Sequence, residues 1–596
     1  MMAGNSITLR VLSPLRILNR TSARKILPVF AVIIFCNAFA AWYVLGERII
    51  YHFDSIGYWA MLVELKHNLA TQPWNALQWF WSGIRMDDYS SLTIAPLLPF
   101  SLFGTTRLWY VLSIVNTFAL PAVFAFLLLS RRFFALAHPS FPGVPPPPQT
   151  LQTAAILVTI LCAPPFWAAI VGGMPDVAGI ALISTILLLT LQSLPALRWR
   201  DESIVGILAF ILIRFRRWYI IWVVGYLLAR GVMLLLLCAW RRQWKPLMIQ
   251  SAKLALCGGV CAALLFLVSG PFILRVIGSD YASLYAGFQI PDFTWWKAIH
   301  TVISRFGYIL TIFAIGGVIL SFAHPRLRIP GAFLLIQFVT TFALFARTQT
   351  FFSHHWYLLL TTVLLFAGFF LLEHIHHAAR TRTIAVGFLV LNVFIFFAVF
   401  FPPLSKLTYP IIPLIPNYPF LIRTRGDLNE MKHLQWSLFD EMRNPTDRVY
   451  VLSASTILNR AMVHYMHFTF PELPNLSGKV LDTQDLDRWY GFPSQFFQAS
   501  HIVVVEPIQY MNTPENSRIL ILPAERLLNR QGLGQAFRRL PYQFRLDGGS
   551  TASIFRRTQK ITKAEALEFS DALRAYYPED PKIYEISIPP GILADE

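Results

Sequence analysis

Acidic side chains are scarce in residues 1–402, 11 against 29 basic ones, so the position of each carries information. Asp54 lies in Phe53-Asp54-Ser55-Ile56-Gly57-Tyr58-Trp59, and Asp176 in Gly172-Gly173-Met174-Pro175-Asp176. A carboxylate of this kind can take the proton from an attacking hydroxyl, or share a cation with a second carboxylate. The plainer roles are a solvated acid at a helix end for Asp54 and, for Asp176 behind its proline, a favourable helix start. The opposing charges are Arg214, Arg216 and Arg217 in Ile213-Arg214-Phe215-Arg216-Arg217-Trp218-Tyr219. The guanidinium presents a rigid fork of donors that matches phosphate oxygens, whereas the plainer reading is an ordinary cytoplasmic loop. Lys297 beside Trp295-Trp296, Arg347, and His355 in His354-His355-Trp356-Tyr357 add further donors. His355 can bind phosphate, shuttle a proton or merely satisfy a helix start. Glu373-His374-Ile375-His376-His377 has the composition of a metal site but reads as a solvated helix end on the opposite side from the acids.

The elements that must position these groups follow from composition. Of 596 residues, 55% are apolar and only 14% charged, against about 25% charged in a soluble protein. With a mean hydropathy of +0.52, the chain reads as an α-helical polytopic membrane protein, and a soluble enzyme is excluded. Apolar runs lie near 26–46, 108–130, 151–171, 177–194, 203–213, 218–240, 247–269, 303–322, 331–346, 355–372 and 383–401. Each is a candidate transmembrane helix, although eleven residues at 203–213 rise only about 17 Å, which makes that helix short, tilted or broken. The run following the basic N-terminus is too long for a cleaved signal peptide, despite Ala38-Phe39-Ala40. The five cysteines, Cys36, Cys162, Cys238, Cys257 and Cys261, all fall within apolar runs and form no CxxC site.

Arg10, Arg16, Arg20, Arg24 and Lys25 place the N-terminus in the cytoplasm by the positive-inside rule, which also reads the net charge of +18 as loop charge and not as nucleic-acid binding. With eleven spans, Arg131-Arg132, Arg198 with Arg200, Arg241-Arg242, Arg326 with Arg328, and Arg380 with Arg382 all fall inside. Most acids then fall outside, including Glu47, Asp54, Asp87, Asp88 and Asp176. The long connection from Glu47 to Arg107, with Trp74, Trp79 and Trp81, predicts interfacial helices. Pro145–Pro148 reads as a stiff spacer in a cytoplasmic loop. Residues 403–596 are balanced, 21 basic against 21 acidic. They are expected to form a soluble extracytoplasmic α/β domain, with a helix over 428–442 and strands at 449–452, 502–505 and 553–556.

The arrangement resembles the GT-C class of integral-membrane glycosyltransferases, in particular the group of protein O-mannosyltransferases and the lipid A aminoarabinose transferase. The likeness runs over nearly the full length. It rests on the basic N-terminus, a single span, a long outer loop opening on Asp54, and Asp87-Asp88-Tyr89-Ser90-Ser91-Leu92-Thr93-Ile94-Ala95-Pro96-Leu97-Leu98-Pro99-Phe100 leading to Leu102-Phe103-Gly104. The Pro-Asp turn before the fourth span and the outer C-terminal domain complete it. The family's usual paired acid before a tyrosine stands here as Asp54-Ser55-Ile56-Gly57-Tyr58.

The resemblance implies a transmembrane catalytic unit over 1–402, a polyprenyl-phosphate sugar donor, and transfer with inversion to a glycan, lipid or protein acceptor on the outer face of a bacterial inner membrane. It makes Asp54 the candidate base and Asp176 the second acid. Tyr58, Asp87, Asp88, Arg214, Arg216, Arg217, Lys297, Arg347 and His355 are then the candidate substrate-binding residues. The sequence fixes no cofactor; a divalent metal ion is the one the resemblance leaves room for, without identifying its ligands. No Gly-rich nucleotide cradle stands on the cytoplasmic side. A transporter or lipid flippase, in which the same charges line a path, and a noncatalytic envelope-assembly protein are the competing classes.

Overall fold

The computed structural model describes residues 23–138, 149–194, 197–240, 244–280, 285–290, 292–351, 354–376, 379–401, 422–487, 491–580, 582–588 and 592–594. The N-terminal basic cluster through Arg20, Arg241-Arg242 and the Pro145–Pro148 spacer lie outside them.

The apolar runs form α1 (Ala23–Gly46), α4 (Arg107–Ala137), α5 (Gln149–Leu161), α6 (Pro164–Val171), α7 (Ala178–Ser193) and α8 (Trp199–Phe215). They continue as α9 (Tyr219–Trp240), α10 (Trp244–Gly278), α12 (Tyr308–Ala323), α13 (Arg328–Thr348), α14 (Tyr357–His376) and α15 (Ala379–Phe400). Among the described residues, eight helices are long and apolar enough to cross a membrane, or ten when two bent pairs each count as one span. The chain is an integral, multi-pass helical protein.

The sequence pattern and the helices differ where the backbone breaks. The 151–171 run is two helices, bent by 52° where Pro164 and Pro165 open α6. The short span expected at 203–213 is the 17-residue α8, about 26 Å long, because Trp199-Arg200-Asp201-Glu202 extend it at its N-terminus. Glu202 survives inside because Arg230 of α9 meets it at 2.6 Å, both fully buried. The 303–322 run follows an amphipathic helix, α11 (Trp295–Phe306), from which it turns through 103° at Gly307. α14 lies at the centre of the bundle, with 89% of its span buried. At Gly317 a Cβ would collide with the Phe366 carbonyl, so only glycine permits the approach of α12 to α14.

Between α1 and α4 the chain forms the two expected helices, α2 (Asp54–Thr71) and α3 (Pro73–Met86), with Trp74 and Trp81 exposed. The C-terminal region holds α16 (Leu428–Glu441), α17 (Arg460–Thr469), α18 (Arg518–Asn529) and α19 (Lys563–Arg574). Its sheet has the order β1-β2-β4-β3, with β1 (Val449–Leu452) parallel to β2 (His501–Glu506) and the other pairs antiparallel. β4 (Thr551–Arg557) follows the Gly548-Gly549 turn. β3 (Phe537–Arg545) is the strand the sequence pattern misses, since its face is largely charged and Pro541 falls where the register shifts between Arg539 and Gln543. Both features belong to an edge strand. This region docks on the helices: Arg48 and Thr424 form a parallel bridge, Arg423 pairs with Glu47 at 2.8 Å, and Ile50 is buried among the apolar side chains beneath the sheet.

Candidate functional site

Asp54 is the first residue of α2, entered through Phe53 at φ 49°, a left-handed conformation that an aromatic residue rarely adopts. Asp176 follows a tight turn whose Gly173 has φ 73° and meets the Arg107 guanidinium where a side chain would stand. Arg107, buried at the start of α4, ties the two acid-bearing segments together. It donates through Nη1 to the Ser55 carbonyl at 2.6 Å and through Nη2 to the Gly172 carbonyl at 2.8 Å. The Tyr110 hydroxyl donates to the Gly173 carbonyl at 2.8 Å.

Arg216, in the break between α8 and α9, bridges the two carboxylates. Its Nε donates to Asp176 Oδ1 at 2.7 Å and its Nη2 reaches Asp54 Oδ2 at 3.4 Å. The guanidinium also lies 5.0 Å from the centre of the Tyr58 ring and 5.6 Å from that of Tyr89. Asp176 is wholly buried, whereas the Asp54 side chain is 23% exposed. The Tyr219 hydroxyl fixes the turn further by donating to the Asp176 carbonyl at 2.9 Å. Asp54 raises the Tyr89 phenol well above its usual range, mainly by repelling the phenolate, so this hydroxyl stays a donor.

Asp54, Arg216 and Arg217 line a cavity of about 560 Å³. Asp88 lines it too, paired with Arg217 and, at 2.8 Å, with Arg275. Arg217 also donates to the Tyr285 hydroxyl. The rest of the wall is mainly apolar, with Ile220, Ile221, Phe272 and Val276 on it, and His354 and His355 stand beside Trp218. Burial pushes the His355 imidazole well below its usual range, with His354 and Arg216 adding repulsion. It is therefore neutral at pH 7 and can serve a ligand through a hydrogen bond, not through charge.

The other sequence candidates lie elsewhere. Arg214 is buried, stacks 4.4 Å over Phe272 and donates to the backbone carbonyls of Gly83 and Asp87, so it clamps the end of α3 to α8. Asp87 receives that bond on its backbone, and its exposed carboxyl is raised chiefly by desolvation. Lys297 pairs with Asp292 at 3.8 Å on the surface, and the Arg347 side chain is exposed. Neither lines the cavity. Tyr58 packs under Arg216 instead of lining it, and its buried hydroxyl has no partner among the described residues.

Several contributors carried no readable sequence signal. Asp485, Leu486 and Met511 come to the cavity wall from the C-terminal region, more than 400 residues beyond Asp54, and burial raises the Asp485 carboxyl. Arg275 and Tyr285 arrive from the far end of α10 and the loop after it. Tyr89 was within reach of the sequence, standing directly after Asp88.

The expected solvated helix end at Glu373 is not what forms. Glu373 is 2% exposed and faces His138 and His324. His377 lies outside the described residues.

No protein-family model and no curated protein matches the chain. Among solved structures the chain is similar to ArnT from Cupriavidus metallidurans in the apo state, at 12% identity over 88% of this chain and 97% of that one, with a TM-score of 0.44. It is also similar to ArnT from Cupriavidus metallidurans bound to undecaprenyl phosphate, at 12% identity over 90% and 98% of the two chains, with a TM-score of 0.45.

Proposed function

We propose that the chain is a membrane glycosyltransferase that takes a sugar from a polyprenyl-phosphate donor and passes it to an acceptor hydroxyl at the outer face of a bacterial inner membrane. The observation that carries the reading is the cavity wall on which Asp54 and Arg216 stand side by side, with Arg217 next to them. A ligand suited to it is anionic at one end and apolar at the other, because the cations sit against an aliphatic and aromatic surface. Such a donor has a good leaving group at its anomeric carbon, so the reaction needs a base for the acceptor and positive charge for the released phosphate.

Asp54 is the base in this scheme: it is the partly exposed carboxylate of the bridged pair. It takes the acceptor proton as the hydroxyl oxygen bonds to the anomeric carbon and the C–O bond to phosphate breaks, which inverts the configuration. Arg216 and Arg217 hold the phosphate, with the Tyr285 hydroxyl and neutral His355 as further hydrogen-bonding groups. Asp176, behind Arg216, is a positioning residue that sets the guanidinium plane. Residues 403–596 form an outer domain that closes one side of the cavity through Asp485, Leu486 and Met511.

Purified full-length protein, offered a panel of radiolabelled polyprenyl-phosphate sugars and envelope extracts, should transfer label to an acceptor. Movement of intact donor across vesicles without transfer would identify a flippase and overturn the proposal.

A further inference from the structure

At the other end of the bundle, α4, α12 and α14 converge on a second cluster. Glu373 lies sixteen residues along α14 from Tyr357, about 24 Å from the cavity end. His138 caps the C-terminus of α4 and His324 that of α12. Nε2 of His138 is 2.5 Å from Glu373 Oε1, and Nε2 of His324 is 3.3 Å from Oε2. The candidate ligand atoms of all three residues lie within 4.8 Å of one another.

We propose that His138, His324 and Glu373 bind a zinc-class divalent ion that ties the ends of these three helices together, a site separate from the transferase chemistry. Three features carry this. The carboxylate is nearly fully buried and holds both of its oxygens toward imidazole nitrogens. The three groups come from three different helices, and each imidazole presents a nitrogen to a separate carboxylate oxygen. A zinc ion about 2.0–2.2 Å from each of these atoms would hold tetrahedral neighbours roughly 3.3 Å apart, a spacing that small side-chain movements supply.

The donor set selects the metal. Two imidazoles and one carboxylate suit Zn²⁺ and its neighbours Co²⁺ and Ni²⁺, whereas Mg²⁺ and Ca²⁺ favour oxygen alone. Water or a further side chain would fill the fourth position; His376, one turn after Glu373 on α14, has its ring centre 4.4 Å from that of His138, outside the three-residue group itself. No group of the outer cavity takes part, so metal at this site leaves the phosphate-binding arginines untouched.

The test uses tag-free full-length protein in detergent, loaded with Zn²⁺ and desalted, with elemental analysis of the metal retained. The wild type should hold about one zinc per chain. His138→Asn, His324→Asn and Glu373→Gln should each lose most of it, while His374→Ala should keep it, since His374 Nδ1 is bonded to the Phe370 carbonyl. Unchanged zinc in the three variants, or no retained zinc in the wild type, overturns the site. Should the variants aggregate, Co²⁺ loading of folded wild type decides: visible bands of four-coordinate Co²⁺ with nitrogen ligands support the site, and their absence rejects it.

Discussion

Arg216 and Asp176 meet through a 2.7 Å Nε–H···Oδ1 hydrogen bond in which both side chains are at least 95% buried. The pair crosses from the break between α8 and α9 to the Pro-Asp turn before α7, so neither segment can shift without the other. A guanidinium held this way has its Nη2 edge fixed toward Asp54. A cation placed in advance stabilises a departing phosphate without having to reorganise as charge develops.

Removing Asp176 should therefore act through Arg216. Asp176→Ala leaves the buried Arg216 with only its 3.4 Å contact to Asp54 and should cost up to about 3–5 kcal/mol of stability, with donor affinity falling as well. Asp176→Asn retains an acceptor for Nε and should recover part of the donor affinity. Thermal unfolding and donor binding, measured on both variants, check this. Equal donor affinity in wild type and Asp176→Ala would detach Asp176 from the site.

Asp54→Asn keeps shape and the contact with Arg216 but removes the proton acceptor. Transfer should fall by about 10²- to 10⁴-fold while donor binding and thermal stability stay near wild type. Near-normal turnover with the native acceptor would make Asp88, also on the cavity wall, the next carboxylate to test.

What the sequence made legible, and what it did not, divides along the range of the forces involved. The helices were readable because each apolar run must satisfy its backbone within the membrane, and β1, β2 and β4 because their residues are continuously buried. Asp54 and Asp176 stood out because carboxylates are rare and costly there. The three neighbouring arginines could not be told apart. Phe215 ends α8, and beyond it the chain turns so that Arg214 faces α3 while Arg216 and Arg217 face the cavity. Glu373 differs from its sequence expectation for a related reason: its partners His138 and His324 are set by helix packing, to which local composition is blind.

Acid should loosen the protein around the cavity. His354 and His355 both have folded pKa values depressed by burial, so the unfolded chain binds protons that the folded one refuses. Stability then rises with pH through the window below the unfolded value of about 6.5, and is lost as pH falls through it. Melting temperature should drop between pH 7.5 and pH 5.5, roughly spanning that window, and the double variant His354→Gln with His355→Gln should show a shallower drop. An identical slope in the double variant would assign the effect to other histidines such as the half-buried His52, whose pKa is pushed down to about 4.

Orientation in the membrane is tested by fusions. Reporters after Pro402 and within residues 82–90 should read as extracytoplasmic, and one within Pro145–Pro148 as cytoplasmic. A cytoplasmic signal from the C-terminal fusion would place the cavity wall formed by Asp485 and Met511 on the inner face, and the donor would then have to be loaded from the cytoplasm.

The last prediction separates the arginines by what they touch. Arg214→Ala removes bonds to the Gly83 and Asp87 carbonyls and the stack on Phe272, leaving the Gly83 carbonyl with only the 3.4 Å bond from the Asp87 N–H. It should lower thermal stability, by about 1.5–3 kcal/mol for lost hydrogen bonds from a charged group. Where that variant folds, donor affinity should stay close to wild type. Arg217→Ala also frees Asp88, which Arg275 still holds, so stability should change little. Donor affinity should fall instead, by roughly tenfold or more for a lost charge-assisted bond to phosphate. Binding isotherms for a polyprenyl phosphate on the two variants distinguish the roles. The reverse pattern, affinity lost with Arg214 and kept without Arg217, would move the phosphate site to the α3 side of α8.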